Sequence, residues 1–138
     1  MTWIYDDGGR AAAGYKGSTG DCVVRAIAIV GEYSYNEIYD ELKQRMGRGK
    51  SPRAGVPNKV WKGFVREDLG WIWTPTMHIG SGCTVHLAAD ELPLGRLLVS
   101  TSKHIVAMVD GVIRDTYDPS REGKRCVYGY HSLPLPTL

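Results

Sequence analysis

Hydrophobic residues recur at helical spacing as far as about residue 65 and gather into short strand-like runs from Arg96 onward. The segment Val23-Val24-Arg25-Ala26-Ile27-Ala28-Ile29-Val30 is apolar on nearly every side and interrupted only by Arg25. That pattern predicts a buried helix from about Asp21 to Val30, stopped by Gly31, with Asp21 in the N-cap position. Ser34 followed by Glu37 fits a capping box. Behind it Tyr35, Ile38, Tyr39, Leu42 and Met46 fall on one face of a second helix that Gly47 ends. Pro57 suits the first turn of a third helix, whose buried face would be Val60, Trp61, Phe64 and Val65.

Trp71-Ile72-Trp73 reads as a short strand, and Thr84 to Glu91 as a short helix after the Gly80-Ser81-Gly82 loop. Pro93-Leu94-Gly95 then turns the chain. Strands are expected at Arg96 to Thr101, His104 to Val109 and Val112 to Tyr117, with a further one at Cys126 to Tyr130. Asp110-Gly111 is the dipeptide of a type I′ hairpin turn, in which both positions need positive φ. Residues 1–16 are an irregular lead-in anchored by Trp3, Ile4 and Tyr15, and Leu133 to Pro136 an extended tail. Helices first and an antiparallel sheet after make an α+β fold, with N-terminal helices packed on a C-terminal sheet. The 138 residues suit one domain, 1–138.

Composition adds little beyond an ordinary globular chain, with 43% hydrophobic and 23% charged residues. The net charge of +2 does not demand a nucleic-acid partner. Lys43, Arg45, Arg48, Lys50 and Arg53 crowd one Gly- and Pro-rich stretch, which reads as a solvated, mobile loop dispensable to the core. It lacks the interleaved aromatics of a base-stacking surface, so nucleic acid is not the expected partner. No apolar run approaches the ~20 residues of a membrane span. Met1 to Ala13 holds Asp6 and Asp7 and no signal-peptide core. Three widely spaced cysteines argue against a disulfide framework and for a reducing, cytoplasmic setting.

The chemistry centres on Cys22, at the seam between the loop Gly17-Ser18-Thr19-Gly20 and the buried helix. A thiol in a first helical turn feels the positive end of the helix dipole, which favours the thiolate. His104 opens a strand. With Asp110-Gly111 as the turn, Val109 opposes Val112, Val106 opposes Asp115 and His104 opposes Tyr117, so all four of the outer residues share a face. Asp115 then lies diagonal to His104, within reach to orient it, and the Tyr117 ring covers the imidazole. Rival sites are weaker. Cys83 could be a helix-start thiol with His86 beside it, or a metal ligand with His78 and His86, but the spacing lacks a second ligand pair. Asp90 and Glu91 point in different directions on a helix, and Cys126 reads as core. No metal or cofactor is expected.

A cysteine opening a buried helix, then a histidine leading a strand, then an aspartate on the next, is the chain order of papain-like cysteine peptidases. The strings at 21–29 (Asp-Cys-Val-Val-Arg-Ala-Ile-Ala-Ile) and 104–119 (His-Ile-Val-Ala-Met-Val-Asp-Gly-Val-Ile-Arg-Asp-Thr-Tyr-Asp-Pro) resemble small papain-like proteins of bacteria and their phages. The similarity covers roughly residues 15–46 and 92–130. It implies a papain-like fold and a Cys22, His104, Asp115 site acting on a peptide, isopeptide or related amide bond, in a host cytoplasm or a virion. The place where such enzymes carry an oxyanion-hole Gln is held here by Lys16, with Ser18 and Thr19 nearby, so the second oxyanion donor departs from the family pattern. Related leader-peptide peptidases carry their Asp in an Asp-Pro pair, which favours Asp118-Pro119 over Asp115, whereas register favours Asp115. The alternative function is a catalytically silent papain-like module that binds a protein; a blocked cleft would mark it.

Overall fold

A computed structural model describes residues 3–15, 20–78 and 80–134. Strand β1 (Trp3–Tyr5) leads to helices α1 (Cys22–Gly31), α2 (Tyr35–Met46) and α3 (Asn58–Gly63). Strands β2 (Ile72–Pro75), β3 (Arg96–Thr101), β4 (His104–Val109), β5 (Val112–Asp115) and β6 (Gly129–Ser132) follow. The strands form one sheet in the order β1-β5-β4-β3-β6-β2. β1 runs parallel to β5, and the remaining pairs are antiparallel. The fold is α+β, with three helical segments packed on one face of a mostly antiparallel sheet.

Both faces of the central strands are covered, which explains why Leu97-Leu98-Val99 and Ile105-Val106-Ala107-Met108 are continuous apolar runs rather than alternations. Leu98, Ile105 and Ala107 meet Val24, Ile27, Leu42 and Trp61 on the helical side. Leu97, Val99, Val106 and Met108 meet Leu87, Leu92 and Val127 on the other. The α2 stripe is buried at Tyr35, Ile38, Tyr39 and Leu42, and Ser34 Oγ accepts from the Glu37 amide at 3.2 Å. Asp110 and Gly111 both have positive φ, 49° and 80°, as the type I′ turn requires.

Several expectations shift. The third helix is brief: after Gly63 the chain widens into a π-helical turn, Phe64–Asp68, closed by a bond from the Leu69 amide to the Phe64 carbonyl at 3.1 Å. The strand expected at Trp71 to Trp73 lies at Ile72–Pro75, and Pro75 is tolerated because β2 is a sheet edge. The strand expected to run to Tyr117 stops at Asp115, and the last strand begins at Gly129, not Cys126. Trp3 and Ile4 are 38% and 43% exposed on edge strand β1, so neither anchors the lead-in through burial. Tyr15 does pack, with its ring 4.9 Å from that of Tyr39 and 5.1 Å from that of Tyr35.

The helix expected at Thr84 to Glu91 is absent. Residues 84–92 run as turns and bends on the sheet's second face, tied down by a disulfide between Cys83 and Cys126 and a bridge pairing His86 with Cys126. The Leu87 amide bonds Arg125 O at 2.8 Å and the Val127 amide bonds Val85 O at 2.9 Å, so pairing partners replace helical ones. The disulfide overturns the reading of three free thiols, and the cysteine count therefore no longer argues for a reducing setting; its Cα–Cα separation of 5.8 Å is ordinary. Cys83 is thereby removed as a nucleophile or metal ligand. Among the described residues no group of three or more His, Cys, Asp or Glu could hold a metal ion, and no helix is long and apolar enough to cross a membrane. Since the bridge closes a separation of 43 residues, reduction should remove about 4 kcal/mol on a chain-entropy account. Thiol counting should find one reactive thiol in the native oxidised protein and three after reduction, with a lower thermal midpoint in the reduced sample.

The basic stretch is also less detached than its composition suggests. Pro52 is buried, Ser51 Oγ lies 2.7 Å from Tyr39 Oη, and the Arg53 carbonyl accepts from the Gly20 amide at 2.9 Å. Arg45 pairs with Asp68 and Glu41. The second half of the loop therefore props the backbone turn just ahead of Cys22.

Candidate active site

Cys22 is the first residue of α1, and the helix behind it is fixed by fully buried Val24, Ile27 and Val30. Asp21 occupies the N-cap position, yet its carboxylate makes no capping bond. It turns into the protein, fully buried, where it meets Arg10 Nε at 2.9 Å, Arg25 at 3.2 Å and the Tyr35 hydroxyl at 2.5 Å. Burial, and then the Asp21 carboxylate, push the Tyr35 phenol well above its ordinary value. The loop carrying Arg10 can approach because Gly8, at φ 70°, lies against α1; a Cβ there would stand 2.8 Å from the Arg25 carbonyl oxygen.

Across from Cys22, His104 and Asp115 meet on adjacent strands, with His104 Nε2 2.7 Å from Asp115 Oδ2. Asp115 is held on every side. Its Oδ1 accepts from the Thr116 amide at 2.7 Å and lies 3.8 Å from Arg25, and its carbonyl accepts from Trp3 Nε1 and from the Asp6 amide. Arg25 thus links the carboxylate beside the cysteine to the carboxylate beside the histidine. With Nε2 engaged, Nδ1 is the ring nitrogen left to face Cys22, and both residues line the same cleft. Burial pushes the Cys22 thiol up, but the polar groups of His104 and the Ile105 backbone, with the charges of His104 and Arg25, outweigh it and bring the thiol below its ordinary value. Burial likewise lowers His104, and the bonds to Asp115 and Cys22 overcome it, raising the imidazole to about 9. The two shifts run in the direction of a thiolate beside an imidazolium.

A cleft of about 390 Å³ opens where Cys22 and His104 meet and is lined farther along by Trp61, Lys62, Trp73, Ser100 and Tyr128. The Trp73 ring lies on Gly129, where a Cβ would come within 2.4 Å of it. Beneath, His131 is fully buried with its ring 4.8 Å from Trp73 and 5.6 Å from Trp61, and Arg66 Nε donates to its Nε2 at 3.0 Å. No family model, curated protein or solved structure matches this chain. The reading of the site therefore rests on its geometry.

Of the residues singled out from the sequence, Cys22, His104 and Asp115 come together. Asp118 does not join them: its Oδ1 accepts from the Ser120 amide at 2.9 Å, as in a local turn. The Tyr117 ring stands 5.3 Å from that of His104, tilted by 38°, and is 47% exposed, so it flanks the imidazole rather than sealing it. Lys16, Ser18 and Thr19 lie outside the described residues. Glu91 binds His86 across 3.1 Å and takes no part. The sequence reading missed Arg25 as a connector, although a lone guanidinium in an otherwise apolar buried helix is itself a demand for carboxylates. It also missed the cleft walls, which come from α3, β2, β3 and the segment just before β6.

Burial, and then the charges of Arg66 and Lys62, lower His131 to about 4. Its unfolded value is about 6.5, so the unfolded chain binds a proton first, and stability present above pH 6.5 is lost as pH falls toward 4. The loss should be about 3 kcal/mol. Denaturant unfolding across that range should show it, and His131→Phe, which keeps the aromatic contacts, should flatten the slope.

Proposed function

We propose that this protein is a papain-like thiol hydrolase that cleaves a peptide, isopeptide or related amide bond through Cys22, His104 and Asp115. The observation that carries the reading is Cys22 at the head of a rigid helix, sharing an open cleft with a His104 that is bonded to Asp115. The Cys22 thiolate attacks the substrate carbonyl. The amide of Cys22, in the first turn of α1 and without an intrahelical acceptor, is available to the oxyanion. His104 gives its proton to the leaving amine, which departs as the thioester forms. Water then enters, His104 takes a proton from it, and attack on the thioester releases the acid and restores the thiol. Asp115 holds the ring so that Nδ1 faces the sulfur and stabilises the imidazolium.

Site-resolved alkylation at pH 6 tests this. Cys22 of the native protein should react with iodoacetamide at least about tenfold faster than the same cysteine in the urea-unfolded chain, because an ordinary thiol is almost wholly protonated there. Cys22→Ala should abolish hydrolysis while retaining the fold. A native Cys22 no faster than an unfolded one, or an active Cys22→Ala protein, overturns the hydrolase reading.

A further inference from the structure

The cleft beyond Cys22 and His104 has an uneven chemistry. Apart from His104, the only charged side chains among its described lining residues are Lys62 and Lys103, and no carboxylate lines it. Neither lysine forms an ion pair among the described residues. Lys62 is held over the rings of Trp61 and Trp73, 5.7 and 5.8 Å from their centroids, so its charge is aimed rather than free to swing into solvent. Lys103 projects from the two-residue turn before His104, at φ 58°.

Ser100 supplies a second and independent sign. Ser100 lines the same cleft, the residue is 7% exposed, and its buried Oγ has no hydrogen-bond partner among the described residues. A buried hydroxyl without a partner is costly, and an acceptor arriving in the cleft would relieve it. Ser100 pairs across the sheet with Gly129, on which the Trp73 ring rests, so the hydroxyl lies beside the aromatic wall that carries Lys62. Two cations without an ion-pair partner among the described residues and an unsatisfied donor around an open groove match a carboxylate.

We infer that this part of the cleft is a specificity subsite for an acidic substrate, taking a Glu or Asp side chain of the peptide that supplies the acyl group, with Lys62, Lys103 and Ser100 as its ligands. The inference builds on the hydrolase reading for its account of which bond is cut, but the subsite can be read without turnover.

Two matched probes test it, acetyl-Glu-Gly and acetyl-Gln-Gly chloromethyl ketones, which alkylate a thiolate with loss of chloride. Each rate at Cys22 is divided by the same protein's iodoacetamide rate, which cancels changes in the thiol itself. The Glu probe should lead by about tenfold at low ionic strength, and the lead should shrink in 1 M salt. In the double variant Lys62→Gln, Lys103→Asn it should fall to about twofold or less. Asn is chosen because it tolerates positive φ. The single Lys103→Asn variant, altered at an exposed turn, should show a partial loss and serves if the double variant does not fold. Equal rates for the two probes in the wild-type protein, or a preference untouched by the variants, overturn the subsite. So does protection of Cys22 by a dinucleotide but not by an acidic peptide, which would assign the cations to phosphate. A Cys22 that is slow toward iodoacetamide removes the hydrolase reading alone, since the ratio of the two probes still reports the groove.

Discussion

The proposed hydrolysis should trace a bell against pH, with its alkaline limb near pH 9. Attack needs the Cys22 thiolate, and expulsion of the amine needs the protonated imidazole of His104. The thiol lies below its ordinary value and the imidazole is raised to about 9, so the productive ion pair exists between the two. Activity rises with pH as Cys22 ionises and falls as His104 loses its proton. His104→Gln should lower the rate by about 10²–10⁴-fold, the usual contribution of a positioned acid–base group. Asp115→Asn is the sharper test. The Asp115 bond is the foremost influence raising His104, so its loss should shift the alkaline limb downward as well as lowering the plateau. Rates on a fluorogenic amide between pH 5 and 10 would decide it. An alkaline limb unmoved in Asp115→Asn would mean that Asp115 does not hold the working imidazole.

The largest loss of stability should come from Asp21→Asn. The carboxylate is fully buried and faces Arg10, Arg25 and Tyr35 at once. Neutralising it withdraws the carboxylate that two nearly buried guanidinium groups share. Breaking one side of a buried ionic cluster costs about 3–5 kcal/mol, a large share of the roughly 5–15 kcal/mol that holds a domain of this kind. A fall in thermal midpoint of roughly 10–20 °C is expected for a chain of this size. Circular dichroism melts would measure it. A shift of only a degree or two would show that water replaces the carboxylate at no great cost, and that the cluster does not clamp the head of α1.

What could be read along the chain and what could not differ by the distance over which each feature is decided. The turn at Asp110-Gly111 and the pairing next to it are written within a dozen residues, but the β4–β5 ladder stops at Ala107 and Arg114. Asp115 turns toward Arg25 of α1 while Val106 packs on the other face, so the 2.7 Å contact of His104 with Asp115 is not a product of simple alternation. The α2 face and its Ser34 cap are local in the same way. The false helix at residues 84–91 failed because Val85, His86 and Leu87 take their partners from residues 125–127, behind a disulfide that an odd cysteine count had argued against. Strand β1 pairs in parallel with β5, more than a hundred residues away, and no spacing rule announces that. Asp21 was placed correctly at the helix head but given the wrong task, because Arg10, Tyr35 and, one turn on, Arg25 outcompete the backbone amides for its carboxylate.

The parts of the Cys22–His104–Asp115 arrangement lie far apart in the order of synthesis. Cys22 leaves the ribosome early, whereas His104 and Asp115 arrive only with the β4–β5 hairpin, and β1 must wait for that hairpin before it has an edge to join. Contacts of such long sequence separation are the slow ones to form. Until they close, the thiol is an ordinary cysteine with neither imidazole nor Ile105 amide beside it. On the proposed reading, a nascent or truncated chain lacking the hairpin should therefore be chemically quiet, with a reactive sulfur appearing only once β4 and β5 have been laid down.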